Sequence, residues 1–304
     1  MTSSLFDRAM KAAAPLIDRC ALPDPGTPVA CAVSGGADSL ALLLLAVVNG
    51  CEPVAHHVDH ALREGSDKDA EVVREVGDAL GIEVVVHRVV VGAGPNLEAR
   101  ARAARFDVMP EGVATGHTAD DQAETVLINL LRGAATDGLA AMRPGPRHPI
   151  LALRRAETRG LCAELDLRPV EDPTNADPKY LRNRVRHELL PMLCDLAGRD
   201  IVPVLARQAR LLGDDAALLG ELAAALDPKD ASAIASAPAP LARRALREWL
   251  RFGHPPDLAT VDRVLAVASG EVPATDVGSG RSVRRSRGRL RLEEPPDEPK
   301  GGRE

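Results

Sequence analysis

The chain has 304 residues, of which 45% are hydrophobic and 27% charged, and its formal net charge is −6. This length allows one large and one small domain of ordinary globular composition, while the negative charge argues against broad non-specific nucleic-acid binding. No apolar run approaches the roughly 20 residues that span a bilayer, and the N-terminus does not resemble a signal peptide. The five cysteines are scattered and predict no disulfide framework. We therefore expect a cytoplasmic protein that does not bind membranes.

Strands and helices alternate after a predicted N-terminal helix in residues 1–28. Apolar runs that end at turn residues predict five strands, at residues 29–36, 52–60, 82–91, 113–117 and 148–154. Helical patterns follow them at residues 38–49, 66–81, 96–109, 119–133 and 156–166. Because most of these strands are apolar on both faces, we expect an α/β fold with a doubly wound, mainly parallel five-stranded sheet in a domain over residues 29–195.

A smaller, helical C-terminal region is predicted over residues 196–292. Its later part contains helical patterns near residues 241–252 and 257–269, followed by an arginine-rich, β-like stretch. Residues 293–304 are rich in proline, glycine and charge, which is typical of a disordered tail.

The segment SGGADS, residues 34–39, follows the first predicted strand and opens the next helix. Glycines allow backbone N–H groups to approach phosphate oxygens, and a helix N-terminus favours negative charge. The segment lacks the Gly-Lys-Ser/Thr ending and the GxGxxG spacing of commoner nucleotide loops, and an ordinary tight turn is the alternative. Asp38 is interpreted as a magnesium-linked or positioning carboxylate, because a bare carboxylate repels phosphate.

The segment GHTADDQAET, residues 116–125, places His117 and three acids at the end of the fourth strand. Asp121 and Glu124 are three residues apart, so they share one helix face. Such a pair can bind an ammonium group or a magnesium ion; the alternative is that acids in a first turn only stabilise the helix dipole.

The segment HHVDH, residues 56–60, invites a zinc interpretation. Neighbouring residues of a strand point to opposite faces, and no cysteine or HExxH partner completes a ligand set. Asp59, at the predicted strand end, is therefore the better functional candidate.

Arginines are clustered in four places that could together bind nucleic-acid phosphates. They are Arg100, Arg102 and Arg105; Arg182, Arg184 and Arg186; Arg243, Arg244, Arg247 and Arg251; and Arg281, Arg284, Arg285, Arg287, Arg289 and Arg291. If the last cluster formed one strand, alternate arginines from Arg285 to Arg291 would share a face at about 7 Å spacing. The alternative is a set of solvated charges.

The residues 34–39 resemble the signature of the PP-loop ATPases, which have a Rossmann-like, HUP-type fold. Four further segments are similar, in this order, to the tRNA(Ile)-lysidine synthases within that superfamily. They are HVDHALR (57–63), NLEARARAARF (96–106), GHTADDQAETVLINLLRGA (116–134) and EDPTNADPKYLRNRVRHELLPML (171–193). The resemblance covers about residues 29–195.

The resemblance implies a ligase that acts on the isoleucine tRNA with a CAU anticodon. In that family the C2 oxygen of the wobble cytidine attacks the α-phosphate of ATP and diphosphate is released. The ε-amine of free L-lysine then attacks C2 and displaces AMP. The product, lysidine, pairs with A, so codon recognition changes from AUG to AUA. ATP is thus expected as co-substrate with Mg²⁺, and a homodimer is a possibility.

The resemblance also assigns roles residue by residue. ATP is expected at Ser34, Gly35, Gly36, Ala37, Asp38, Ser39 and Asp59, with Mg²⁺ near Asp38. Lysine is expected at Asp121 and Glu124. The residues expected to act in catalysis are Asp38, Arg105, His117, Asp121 and Glu124. For tRNA they are Arg102, Arg182, Arg184 and Arg186, to which the spacing in the C-terminal stretch adds Arg285, Arg287 and Arg289.

Three other functions agree less well with the sequence. A PP-loop tRNA thiolase needs paired cysteines for persulfide or cluster chemistry, which the sequence lacks. A glutamine-dependent amidotransferase would carry a glutaminase domain or subunit, and nothing before residue 29 could be one. A non-catalytic RNA-binding protein would account for the arginines, but not for SGGADS or the acidic pair.

Overall fold

The computed structural model describes residues 5–59, 67–89, 104, 107–171 and 177–294. The chain forms two compact units, Met1–Gly213 and Asp214–Glu304. The predicted helix from residue 96 lies mostly outside the described residues, as do Arg102, Arg105 and most of the predicted tail. The end of the first domain at residue 195 stays a prediction.

The first unit is built on a parallel sheet covered by helices. Its strands are β1 (Pro28–Ala32), β2 (Glu52–Asp59), β3 (Val84–Arg88) and β4 (Ala114–Thr115), in the order β3-β2-β1-β4. Its helices are α1 (Leu5–Ile17), α2 (Ala37–Val48), α3 (Asp67–Leu80), α4 (Ala119–Leu131), α5 (Thr136–Leu139), α6 (Arg155–Glu164), α7 (Leu181–Arg184), α8 (Leu190–Ala197) and α9 (Val202–Ala224). The unit boundary falls within α9, and a π-helical turn, Val185–Leu189, joins α7 to α8.

The α/β class and the parallel sheet are confirmed, but the predicted fifth strand is wrong within the described part of the chain. Residues 148–154 form turns, and His148 makes only an isolated bridge with Gly145. Ile150 and Leu153 are fully buried and linked by a turn hydrogen bond of 2.9 Å. Their apolar character therefore reflects core packing under a turn rather than strand pairing.

The core of the first unit is centred on α2. Its segment Leu40–Leu45 is fully buried, because α2 packs against β1 and β2 and against helices α1 and α6 and so has no solvent face. The strand order reverses between β1 and β4. In open parallel sheets this switch point, beyond the strand C-termini, is where ligands bind, and the segments SGGADS and GHTADD begin there.

The second unit combines helices with a small antiparallel sheet. The helices are α10 (Ala231–Ser236), α11 (Ala239–Trp249) and α12 (Leu258–Ser269), and the strands, in the order β5-β6-β7, are β5 (Ala274–Gly278), β6 (Arg281–Ser286) and β7 (Arg289–Glu293). Leu246 and Val264 of the helices and Val283 and Leu290 of the sheet form its buried core. The two predicted helices are thus present, and the β-like stretch is a hairpin.

No helix in the described parts of either unit combines the length and the apolar character needed to cross a membrane.

Candidate active site

The phosphate loop has the strand–loop–helix geometry that its sequence predicts. Gly35 has a φ of +89°, and a Cβ there would lie 3.0 Å from Val170 Cγ2, so both backbone conformation and space favour glycine. Ser39 Oγ accepts the Ser34 N–H at 3.2 Å and donates to the Gly36 carbonyl at 2.8 Å. The N-cap residue of α2, Gly36, has no side chain that could cap the helix, and its N–H donates to Ser34 Oγ at a long 3.4 Å. This helix N-terminus is therefore suited to an anion.

Gly116 joins the second motif to this loop. A Cβ at Gly116 would lie 2.6 Å from the Asp38 carbonyl oxygen and 2.9 Å from the Ser39 nitrogen. The end of β4 therefore packs directly on the first turn of α2. This close approach brings the start of α4, with its acids, to the phosphate loop.

The two oxygens of the Asp121 carboxylate have different partners. Its Oδ2 accepts the Thr118 N–H at 2.9 Å and the Thr118 hydroxyl at 2.8 Å, so it caps α4. Its Oδ1 faces the cluster formed with Glu124, as the shared helix face predicts. Helix capping therefore accounts for only one oxygen of the carboxylate.

Three guanidinium groups surround the acid pair. Arg182 Nε donates to Glu124 Oε2 at 2.8 Å, and Arg186 Nε donates to Glu124 Oε1 at 2.7 Å. Arg155 donates to both acids, to Glu124 Oε1 at 3.1 Å and to Asp121 Oδ1 at 2.8 Å. Asp121 Oδ1 also accepts from Arg182 at 3.1 Å. The side chain of Glu124 is fully buried within this network.

All four oxygens of Asp121 and Glu124 are occupied. Each accepts at least two N–H or O–H groups, which matches the two lone pairs of each oxygen. Burial alone raises the pKa of Asp121, but Arg155, Arg182 and the Thr118 N–H outweigh it and hold that pKa at about 2. A substrate ammonium group can therefore bind this pair only by displacing a guanidinium group.

Asp38 lies between the phosphate loop and the acid pair. Its carboxylate accepts the Thr158 hydroxyl and lies 3.5 Å from Arg155 Nε. Burial raises the pKa of Asp38, and although Thr158 and Arg155 oppose the rise, Asp121 adds to it. The negative charge of Asp38 is thus incompletely compensated, which suits a divalent cation bound with substrate phosphates and water. Among the described residues no three His, Cys, Asp or Glu side chains converge on a metal-sized space, but Mg²⁺ often takes only one or two carboxylates.

Arg155 and Thr158 are site residues that the sequence analysis missed. Both lie in the first turn or so of α6, with Arg155 at its start. A cation at a helix N-terminus opposes the helix dipole, so this unfavourable placement was a signal that Arg155 has an acidic partner elsewhere. The preceding Arg154 shows the same pattern, since it binds Asp120 through two hydrogen bonds of 3.0 Å.

The two histidines of the HHVDH segment that the structure describes, His56 and His57, have separate partners. His56 Nδ1 lies 3.0 Å from His87 Nε2, and His57 Nδ1 donates to the Val33 carbonyl at 2.8 Å. Asp59, at the end of β2, lies 3.6 Å from Arg88 Nε. Asp59 also lines a cavity of about 290 Å³ together with Ala70, Arg74, Val86 and Arg88.

His117 lies beside the acid pair, and its charge contributes to the low pKa of Asp121. Its Nδ1 is 2.7 Å from Thr115 Oγ1, which in turn is 2.9 Å from His148 Nδ1. The two rings meet edge to face, with their centroids 5.1 Å apart. Thr115 and His148 were not singled out from the sequence.

The arginines of the first unit that are expected to bind tRNA differ in exposure and in their partners. Among the described residues Arg184 forms an exposed ion pair with Glu188 at 3.3 Å, whereas Arg182 and Arg186 belong to the buried cluster.

In the second unit the predicted single row of arginines is wrong. Residues 281–293 form a hairpin whose turn contains Arg287, with a φ of +51°. Arg285 lies on the same face of β6 as the buried Val283 and donates to the Ala268 carbonyl at 2.8 Å. Arg289 is on β7 and pairs with Asp227 at 2.7 Å.

The sequence is similar to known protein families over both units. A PP-loop domain family matches residues 9–193, and a family described as the TilS substrate binding domain matches residues 230–291. The tRNA(Ile)-lysidine synthase of Nocardia farcinica is 42% identical over 89% of this chain and 93% of its own length. Those of Rhodococcus erythropolis and Rhodococcus opacus are 41% and 40% identical, over 76% and 88% of this chain and 76% and 90% of their own lengths.

Proposed function

The chain belongs to the tRNA(Ile)-lysidine synthase family, and from this premise we propose how its own residues perform the ligation. The reaction joins L-lysine to C2 of the wobble cytidine of the CAU-anticodon isoleucine tRNA. ATP adenylates the cytidine with loss of diphosphate, and lysine then displaces AMP. The observation that carries the proposal is that Arg155 contacts Asp38, Asp121 and Glu124 at once, which links the phosphate loop to the acid pair.

ATP binds with its phosphates on the loop Ser34–Ser39 and the N-terminus of α2. The hydroxyls of Ser34 and Ser39, which now bond within the loop, would turn to phosphate oxygens. The cavity beside Asp59 lies at the end of the neighbouring strand β2, so it is suited to the nucleoside part of ATP. Mg²⁺ would be held by Asp38 and would neutralise charge on the diphosphate as it leaves.

Lysine binds through Asp121 and Glu124, which carry the negative charge that its ammonium groups require. Because their oxygens are already occupied, we expect lysine to enter only as Arg182 or Arg186 turns away. Arg186 lies within the π-helical turn Val185–Leu189, and Arg182 precedes that turn by three residues. Such turns are frequent at functional sites. A guanidinium group released in this way can bind the phosphate of ATP or of the adenylated cytidine.

The tRNA contacts are assigned by the partners that the arginines already have. In the first unit Arg184 is exposed and makes an exposed ion pair, while Arg102 lies outside the described residues. In the second unit Arg285, Arg287 and Arg289 are all exposed, but Arg285 and Arg289 would first have to leave their present partners. A homodimer and a cytoplasmic location remain expectations from the sequence.

The experiment is to measure diphosphate and AMP release with each isoleucine tRNA and each amino acid in turn. We expect release of AMP to require the CAU-anticodon tRNA and lysine together. Ser39→Ala and Asp38→Ala should fold but lose roughly 2–4 kcal/mol of transition-state stabilisation. Diphosphate release that is independent of tRNA, or near wild-type rates for both variants, would contradict the proposal.

A further inference from the structure

Arg182 is the least firmly held of the three arginines around the acid pair. It donates one hydrogen bond to each acid, from Nε to Glu124 Oε2 at 2.8 Å and from Nη2 to Asp121 Oδ1 at 3.1 Å. Arg186 instead binds both oxygens of Glu124, at 2.7 and 3.0 Å. The side chain of Arg182 is 34% exposed, against 22% for Arg186 and 16% for Arg155. Arg182 is therefore the arginine whose release costs least.

Departure of Arg182 frees one acceptor position on each acid. Glu124 Oε2 keeps the N–H of Arg186, and Asp121 Oδ1 keeps that of Arg155 at 2.8 Å. The two freed positions served one guanidinium group, so one ammonium group, which has three donors, can reach both. Without Arg182 the cluster of three carboxylates and three guanidinium groups has one negative charge in excess. The vacated position therefore attracts a cation of the size of an ammonium group.

The chemistry of the reaction decides which ammonium group of lysine takes this position. The ε-amine must lose a proton before its lone pair can attack C2 of the cytidine, whereas two carboxylates stabilise the protonated form of an amine beside them. The α-ammonium group does not react, and the carbon that carries it also carries the carboxylate of lysine. A guanidinium group displaced by the α-ammonium group therefore lies beside an anion that it can bind through two parallel hydrogen bonds.

We propose that Arg182 occupies the α-ammonium position of the lysine site in the free protein, and that lysine enters by exchange with it. The α-ammonium group replaces the guanidinium group between Glu124 Oε2 and Asp121 Oδ1, and the released Arg182 binds the α-carboxylate. The ε-amine is left outside the acid pair and can give up its proton. This inference rests on the function proposed above, and it makes Arg182 a residue that selects for an α-amino acid.

The first test measures the displacement of Arg182 alone. Cadaverine, 1,5-diaminopentane, has both amines of lysine but no carboxylate, and its binding is measured by calorimetry without ATP or tRNA. We expect Arg182→Ala to bind cadaverine about tenfold more tightly than the wild-type protein does, since one hydrogen bond to a charged group contributes about this factor. The matched control is Arg184→Ala, which removes the same charge from an exposed ion pair and should behave as the wild type. Equal affinities of the wild type and Arg182→Ala overturn the exchange.

The second test concerns the carboxylate of lysine. We expect the wild-type protein to bind L-lysine at least about tenfold more tightly than cadaverine, because only L-lysine gives the released Arg182 a new charged partner. In Arg182→Ala the two affinities should become nearly equal. A preference for L-lysine that persists in Arg182→Ala overturns the role of Arg182 in binding the carboxylate.

A measurement on the wild-type protein keeps the proposal testable if Arg182→Ala does not fold. The full chain is labelled with ¹⁵N-arginine, and the Nε–H signal of Arg182 is identified by its loss in Arg182→Lys, which keeps the charge. Saturating L-lysine should shift this signal more than that of Arg186, because the acceptor of Arg182 changes from Glu124 to the substrate carboxylate. An unchanged Arg182 signal overturns the proposal.

Failure of the proposed function would be recognised separately. It would appear as a wild-type protein that forms no AMP with L-lysine and the CAU-anticodon tRNA, whereas the binding and labelling experiments contain neither ATP nor tRNA. A wild-type protein that shows the exchange but forms no AMP would contradict the proposed function and leave the exchange in place.

Discussion

Replacing Glu124 with Gln should destabilise the first unit far more than the same change at an exposed glutamate. Glu124 is fully buried and accepts hydrogen bonds from Arg155, Arg182 and Arg186 at 2.7–3.1 Å. Gln preserves the shape but removes the charge and turns one acceptor into a donor that faces guanidinium donors. The cluster then holds three cations against two anions, Asp38 and Asp121.

The magnitude follows from the burial of these partners. Removing one member of a buried ion pair costs about 3–5 kcal/mol, and hydrogen bonds to charged groups are worth about 1.5–3 kcal/mol each. The arginines are 16–34% exposed, so water screens part of the loss, and Asp121 remains as an alternative partner. We therefore expect a decrease of about 2–4 kcal/mol in the free energy of unfolding, or about 6–12 °C in Tm for a unit of this size.

Glu188→Gln is the matched control. Glu188 pairs with Arg184 at 3.3 Å in an i,i+4 arrangement in which both side chains are more than half exposed, and such pairs contribute about 0.3–0.5 kcal/mol. Both variants are measured by urea and thermal unfolding without substrates. If Glu124→Gln were as stable as Glu188→Gln, the buried cluster would not stabilise the fold and our reasoning would be refuted.

Three further predictions concern acid stability, the contact at the phosphate loop and tRNA binding. The folded-state pKa of Asp121 is about 2, whereas the ordinary pKa of an aspartate is about 3.9. The contribution of Asp121 to the free energy of unfolding is therefore present above about pH 4 and lost as the pH falls towards 2. Asp121→Asn should flatten this part of the stability curve, and an unchanged curve would contradict the low pKa. Gly116→Ala should lower the free energy of unfolding by several kcal/mol and abolish ATP binding, since its Cβ would lie 2.6 Å from backbone. Gly160→Ala, whose Cβ would meet nothing within 4 Å, should instead raise the free energy of unfolding by about 0.5–1 kcal/mol. Calorimetry checks both variants, and similar Tm values would be inconsistent with the close approach at Gly116. Arg287→Ala should reduce the slope of log K for tRNA against log salt by about 0.7–0.9 in filter binding. Arg285→Ala should lower stability and leave the slope unchanged, because Arg285 already binds the Ala268 carbonyl; the reverse result would reject this assignment.

Local pattern was sufficient for the elements that carry the chemistry. The loop at residues 34–39 is identifiable from its own residues, because glycine and serine favour a phosphate-binding turn and the run of leucines that follows indicates a buried helix. The three-residue spacing of Asp121 and Glu124 places both acids on one face of α4. The hairpin turn also had a local signal, since Arg287 is followed by Gly288, and the alternating arginines on either side obscured it.

The remaining features depend on packing between distant segments. Arg155 and Arg182 reach Glu124 across 31 and 58 residues of sequence, and no periodicity encodes such a contact. The false strand at residues 148–154 has the same cause. Ile150 and Leu153 are apolar because they are buried, and composition alone cannot distinguish a buried turn from a buried strand.

The balance of charge around Arg155 has a consequence for how substrates arrive. Three carboxylates, those of Asp38, Asp121 and Glu124, face three guanidinium groups, so the six charges sum to zero. A neutral cluster exerts little attraction beyond a Debye length, about 8 Å at physiological ionic strength, and cannot speed the encounter with a cationic amino acid by long-range steering. The association rate of lysine should therefore be nearly independent of salt, and the ionic-strength dependence of the overall reaction should come from the tRNA.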